Sequence, residues 1–176
     1  MTDNPVPARP DGVDRRLLAV YLNDHLAGAV AGSHRMRRTA DALARTPVGP
    51  AMDRVATEVA DEREELRALL GTLGVTQALP KQAATWLGER IARLKVNGRP
   101  ARHSPLTTLL EVELLRSAVT GKWGLWQTLT LLAPSLGIDP ERCRALSVQS
   151  EQQIATLDEV HSYVRARALR RGDSQV

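Results

Sequence analysis

Five ionisable residues are spaced so that they could meet at one point inside a helical protein. Asp158 and His161 are three residues apart, which places them on the same face of a helix. Glu58 and Glu62 fall beside or within the apolar stripe of an earlier segment, and Glu113 lies at the edge of another. Carboxylate oxygens and an imidazole nitrogen are ligands that Fe, Mn or Zn accept. The spacing therefore predicts a candidate metal site, in which Glu58 is an optional ligand.

The same acids could instead be neutralised by arginines. Arg37, Arg63 and Arg116 lie at positions from which they could pair with these carboxylates. A buried carboxylate needs a partner or a proton, because an unpaired buried charge is costly. We favour this ion-pair network over a bound metal. We therefore expect no cofactor, with Fe or Mn as the alternative.

Three further residues have side chains that could do chemistry but are expected to be structural. His25 lies at the centre of the apolar stripe of its segment, and Gln153 also faces inward. We expect both to be buried polar residues that neighbouring groups satisfy. Cys143 is the only cysteine, which excludes an internal disulfide, and its position on an apolar face predicts an inert thiol.

Four long amphipathic segments position these residues. At Ser104-Pro105 and at Asp139-Pro140, a capping residue is followed by a proline at the first helical position, which is a typical helix start. The second and third segments are separated by a long connection that contains a shorter amphipathic stretch. The pattern predicts an all-α fold of two antiparallel hairpins joined by a crossover. The predicted long helices are 14–44, 51–73, 104–133 and 140–170, and the short one is 80–95.

Two motifs and this connectivity resemble the ferritin-like superfamily, in particular uncharacterised bacterial ferritin-like proteins. The motifs are Tyr21–Gly28 in the first helix and, in the third, Glu113–Leu115 followed by Gly121–Trp126. The resemblance covers about residues 14–170 and implies a four-helix bundle. Di-iron members carry Glu-x-x-His on two helices. This chain has no such motif and no Glu in its first helix, so the resemblance implies a degenerate metal site.

The third helix is apolar on nearly all sides. We assign its core face to the stripe of Leu106, Leu110, Leu114, Ala118, Gly121, Leu125 and Leu132. A second stripe, roughly opposite, must also be covered. The cover could be the short crossover helix or a second copy of the chain, and two Trp residues would be natural anchors for a homodimer. This interface stripe comprises Val112, Leu115, Val119, Trp123 and Trp126.

Composition fits one globular domain, with a lead at 1–12, the bundle at 13–171 and a tail at 172–176. Charged residues make up 25% of the 176 residues and the net charge is +4, which is weak support for nucleic-acid binding. We interpret the basic clusters His34–Arg38 and Arg165–Arg171 as solvated helix faces. The excess of Arg over Lys suggests a bacterial source. No apolar segment reaches membrane-spanning length and no secretory signal precedes the bundle, so we expect a cytoplasmic protein.

No segment matches a specific catalytic motif, and no residue is assigned a catalytic role. We therefore expect a non-catalytic, oligomeric structural or interaction module. One alternative is a metal-binding protein with an oxidoreductase or stress-related role. The other is a weak binder of nucleic acid or of an anionic surface, which the two basic clusters would serve.

Overall fold

The computed structural model describes residues 12–77 and 105–170 as a bundle of four helices. These are α1 (Arg15–Leu43), α2 (Gly49–Thr72), α3 (Pro105–Leu136) and α4 (Pro140–Ala168). The described residues contain no strand, so the predicted all-α class is confirmed. Apart from Gly12, the predicted lead, the short crossover helix and the tail lie outside the described residues.

Local signals set most of the helix ends. The carboxylate of Asp14 accepts hydrogen bonds from two backbone N–H groups of the first turn of α1. The carboxylate of Asp139 accepts one such bond, from Glu141 N, at the start of α4, where Pro140 occupies the first helical position. Gly74, with φ of 66°, ends α2 in a conformation that glycine adopts without penalty.

The third helix runs beyond its predicted end. The sequence predicts a stop at Ala133, before Pro134, but α3 continues to Leu136. Proline costs the helix one backbone hydrogen bond. Here the loss falls in the last turn, where Leu136 is 9% exposed and packs into the core. Burial of this side chain stabilises the extra turn.

The bundle has two apolar clusters with polar and small residues between them. In α2, Glu62 separates Val59 of one cluster from Leu66 of the other. In α3, Lys122 lies between Val119 and Leu125 in the same way. The core is therefore interrupted near the middle of the bundle, where buried polar groups must satisfy one another.

Hydrogen bonds between helices define which ends lie together. Arg37, near the end of α1, pairs with Asp53, near the start of α2. The start of α1 reaches the end of α2, where Asn23 Nδ2 donates to Thr76 O over 3.2 Å. Helix α3 packs on α4 and α1, and α2 packs on α1 and α4. Each helix thus has two neighbours around the bundle.

The structure buries a different face of α3 from the one predicted, although Leu125 of the predicted core face is buried as expected. The predicted interface residues Val112, Leu115, Val119 and Trp126 are at most 3% exposed, and Trp123 is partly buried. Those four pack inside the bundle, so their assignment to a dimer interface is wrong. On the predicted core face, Leu106 is 45% exposed, and Ala118 and Gly121 are also exposed. Periodicity could not distinguish the two faces because both are apolar.

Candidate functional site

A buried polar cluster surrounds the amino group of Lys122 in the middle of the bundle. We call it the Lys122 cluster: Glu58, Glu62, Lys122, Trp126 and Gln153. Lys122 Nζ donates to Glu62 Oε2 and to Gln153 Oε1, each over 2.5 Å. Gln153 Nε2 donates to Glu62 Oε1 over 2.7 Å and to Glu58 Oε2 over 2.9 Å. Trp126 Nε1 donates to Glu62 Oε2 over 3.2 Å.

Three helices supply this cluster at positions that helical spacing dictates. Glu58 and Glu62 are one turn apart on α2, and Lys122 and Trp126 are one turn apart on α3. Gln153 reaches them from α4. The structure therefore brings together Glu58 and Glu62, which the sequence analysis placed in one cluster, with Gln153, which it predicted only as a buried polar residue. It adds Lys122, which was left unassigned, and Trp126, which was placed in the interface stripe.

The electrostatics of the cluster are those of a paired, mostly desolvated lysine. Burial lowers the pKa of Lys122, while the charges of Glu62 and Glu58 oppose this shift. Both oxygens of Glu62 accept hydrogen bonds, and the residue is only 3% exposed. The ammonium group is therefore the countercharge that allows a carboxylate to lie inside the core.

The other predicted metal ligands lie apart from Glu62. Glu113 Oε1 is 3.3 Å from His161 Nε2 in a contact near the surface. Asp158 is exposed and pairs with Arg116. Over 12–77 and 105–170, no group of three or more His, Cys, Asp or Glu side chains could hold a metal ion. Of the five predicted metal ligands, the structure thus brings together two pairs: Glu113 with His161, and Glu58 with Glu62 through Gln153.

The residues around Glu62 do not fit a metal ion. A metal would need the carboxylate oxygens that already face Lys122 Nζ at 2.5 Å, and an ammonium group in that place repels a second cation. The amide of Gln153 also directs its N–H donors at both carboxylates. We therefore infer that the cation beside Glu62 is the ammonium group of Lys122 and not a metal ion.

The cationic partner of Glu62 is the residue that sequence analysis missed. Arg116 does pair with one of the candidate acids, Asp158. Arg37 instead pairs with Asp41 and Asp53, and Arg63 pairs with Glu64. A signal for Lys122 was present in the sequence. It is a rare lysine, three residues from Val119 and Leu125 and one turn from Trp126, at the spacing of one helical face.

A cavity of about 600 Å³ adjoins the Lys122 cluster. Its walls come from α1, α2 and α3 and are mostly apolar. Lys122, Glu62 and Trp126 contribute to the lining from the cluster side. Gly28 and Gly32 of α1 also line it, so small residues widen the space between α1 and α3.

His25 also lines this cavity. Its ring packs edge-on against Tyr21, with the ring centroids 4.5 Å apart. Burial lowers the pKa of His25, and the nearby charge of Asp24 partly opposes this shift. His25 is therefore neutral at physiological pH and can offer one donor and one acceptor to whatever occupies the cavity.

Cys143 is a buried residue with the features of an inert thiol. Cys143 is 4% exposed, and burial raises the pKa of its thiol, as expected for an inert residue.

In the first basic cluster, Arg35 is mostly buried and donates two hydrogen bonds to Glu111. Arg37 pairs with acids on α1 and α2. Arg35 is thus neutralised inside the bundle, whereas Arg37 is paired at an exposed position.

Comparison with known proteins gives no match: no protein-family model, curated protein or solved structure matches this chain. Among the helices at 15–72 and 105–168, none has the length and apolar character needed to cross a bilayer. The features of the described bundle that bear on function are the Lys122 cluster and the adjoining cavity.

Proposed function

We propose that this protein is a ferritin-like bundle that acts by binding and not by catalysis, with Lys122 in place of a metal ion. The observation that carries the proposal is the buried carboxylate of Glu62, whose two oxygens are bound by Lys122, Gln153 and Trp126. The site therefore retains inward-facing acids but satisfies their charge with a residue of the chain itself.

The contacts between helices support the ferritin-like part of the proposal. They pair opposite ends within α1–α2 and within α3–α4, as two antiparallel hairpins would. The remaining neighbours are α1 with α3 and α2 with α4. Two hairpins with one long connection between them are the topology of ferritin-like folds. In this topology the end of α2 and the start of α3 lie at opposite ends of the bundle.

Metal content tests the central claim. The protein, purified without chelator, is incubated with Fe(II) or Mn(II), desalted and analysed by elemental mass spectrometry. We expect no stoichiometric metal in the wild type. A Glu113→Gln variant is the matched control, since it removes the surface pair with His161 and any adventitious binding there. Stoichiometric metal that survives in this control but disappears in Glu62→Gln would overturn the proposal.

The interaction part of the proposal is self-association on the outer surface of the bundle. Three large apolar side chains near one end are strongly exposed: Leu17 (66%), Val20 (56%) and Leu131 (80%). Hydrogen bonding of Tyr21 to Thr128 brings this part of α1 and α3 together. Burial of these side chains in a homodimer would remove apolar area from water.

Light scattering coupled to size exclusion measures this self-association. We expect a dimer for the wild type, and a shift towards monomer for Leu131→Glu because a charge replaces an apolar contact. Val148→Glu, on α4, is the matched control, since Val148 is also exposed (46%). A wild type that stays monomeric at all concentrations would show that these side chains do not mediate self-association.

A further inference from the structure

The cavity between α1 and α3 has the size and lining of a small-molecule site. Its volume is about 600 Å³, within the range of roughly 300–1,000 Å³ that is typical of such sites. The apolar part of the lining includes Met36, Leu66, Leu115 and Leu125. Polar groups form the smaller part of the lining and come from Asp24, His25, Arg35, Glu62, Arg63, Ser117 and Lys122. An apolar wall with a few fixed polar groups is typical of a ligand pocket.

Three glycines line this cavity at a cost in helix stability. Gly28, Gly32 and Gly121 lie inside helices and line the cavity. A glycine inside a helix destabilises it by roughly 0.5–1 kcal/mol relative to alanine. Glycines usually occur where a neighbouring backbone approaches closely, yet a Cβ at any of these three positions would meet nothing within 4 Å. Among the described residues, the space beside these glycines is therefore open to another molecule.

Lys122 offers a hydrogen-bond donor on the wall of this cavity. Its ammonium group has three N–H donors. Two of them are bound by Glu62 and Gln153, and the third has no partner among the described residues. The charge of Glu62 is already balanced by Lys122. An incoming group that accepts a hydrogen bond is thus favoured here over a group that can only donate one.

We infer that the cavity binds one small, mostly apolar molecule whose oxygen headgroup accepts a hydrogen bond from Lys122. A carboxylate or a carbonyl group would satisfy this requirement, and an aliphatic or aromatic body would fill the space between α1 and α3. The exposed small residues Gly28 and Gly121 leave a path from solvent. This site does not depend on whether the bundle is ferritin-like or binds a metal.

Three probes that share one alkyl chain test the headgroup. Decanoate, methyl decanoate and decylamine are titrated into the full chain by calorimetry, below their critical micelle concentrations. We expect decanoate and methyl decanoate to bind. Decylamine should bind at least about tenfold more weakly, because its amino group, protonated at neutral pH, cannot accept a hydrogen bond from the ammonium group of Lys122. Binding of decanoate alone would assign the headgroup as anionic. Equal affinity for decylamine, or no binding by any probe, would overturn the inference.

A variant that fills the cavity tests the location. Gly32→Leu places a side chain in the cavity, whereas Gly71→Leu is a matched control on α2, also in open space. We expect Gly32→Leu to weaken decanoate binding about tenfold or more, while Gly71→Leu leaves it unchanged. Thermal unfolding checks that both variants fold. If Gly32→Leu destabilises the protein far more than Gly71→Leu does, other protein residues occupy this space and the inference is wrong.

Discussion

Removal of the Lys122 amino group would leave the most buried carboxylate of the described bundle without its countercharge. In Lys122→Met, Glu62 stays 3% exposed in the native geometry and retains only the hydrogen bonds from Gln153 and Trp126. Methionine has a similar length and fills the same space, so the change removes charge with little loss of packing. The variant therefore isolates the electrostatic role of the lysine.

The expected cost is large because the two members of the pair are desolvated together. Loss of one partner from a buried ion pair destabilises a protein by about 3–5 kcal/mol, a substantial part of the roughly 5–15 kcal/mol by which folded domains are stable. The double variant Glu62→Gln/Lys122→Met removes both charges. We expect it to recover most of this loss, since replacing a buried pair by neutral groups is often close to neutral in stability.

Urea denaturation followed by circular dichroism gives the free energies of unfolding for this double-mutant cycle. Arg144→Met is the control, because its pair with Glu141 is exposed and should contribute less than about 1 kcal/mol. A loss of less than about 1 kcal/mol at neutral pH, or a double variant no better than Lys122→Met, would refute the assigned role.

Three other predictions concern groups elsewhere in the bundle. Because burial lowers the pKa of His25 below about 6.5, the unfolded chain binds the proton first, so the free energy of unfolding should fall as the pH drops below about 6.5. In urea titrations, the His25→Gln variant should lose this decrease, whereas the His34→Gln variant should keep it, because His34 is exposed. The same slope of unfolding free energy against pH in both variants would contradict the prediction. Since burial raises the pKa of Cys143, its alkylation by iodoacetamide, followed by mass spectrometry, should be much slower in native than in unfolded protein; equal rates would contradict this. Asp139→Ala removes the cap of α4 and should cost about 1 kcal/mol in urea denaturation, whereas Asp61→Ala, at an exposed helical position, should cost less.

The positions of the four long helices were predictable from local features of the sequence. The predicted spans agree with the structure to within three residues at each end. Capping at Asp139-Pro140 and the left-handed Gly74 act within a few residues of chain, so they need no knowledge of the fold. The inward positions of Glu62 and Gln153 followed from the same periodicity, and both are buried.

The tertiary structure alone decided which face of α3 is inside and which cation neutralises Glu62. An apolar helix gives no periodic signal for its buried side. Val112, Leu115 and Trp126 were therefore assigned to a second stripe, to be covered by the crossover helix or by a second copy, but in the structure they are buried. The pairing of Glu62 with Lys122 joins residues 60 positions apart, and only the relative rotation of α2 and α3 sets it. The cavity likewise depends on the spacing of whole helices, although the glycines that permit it are visible in the sequence.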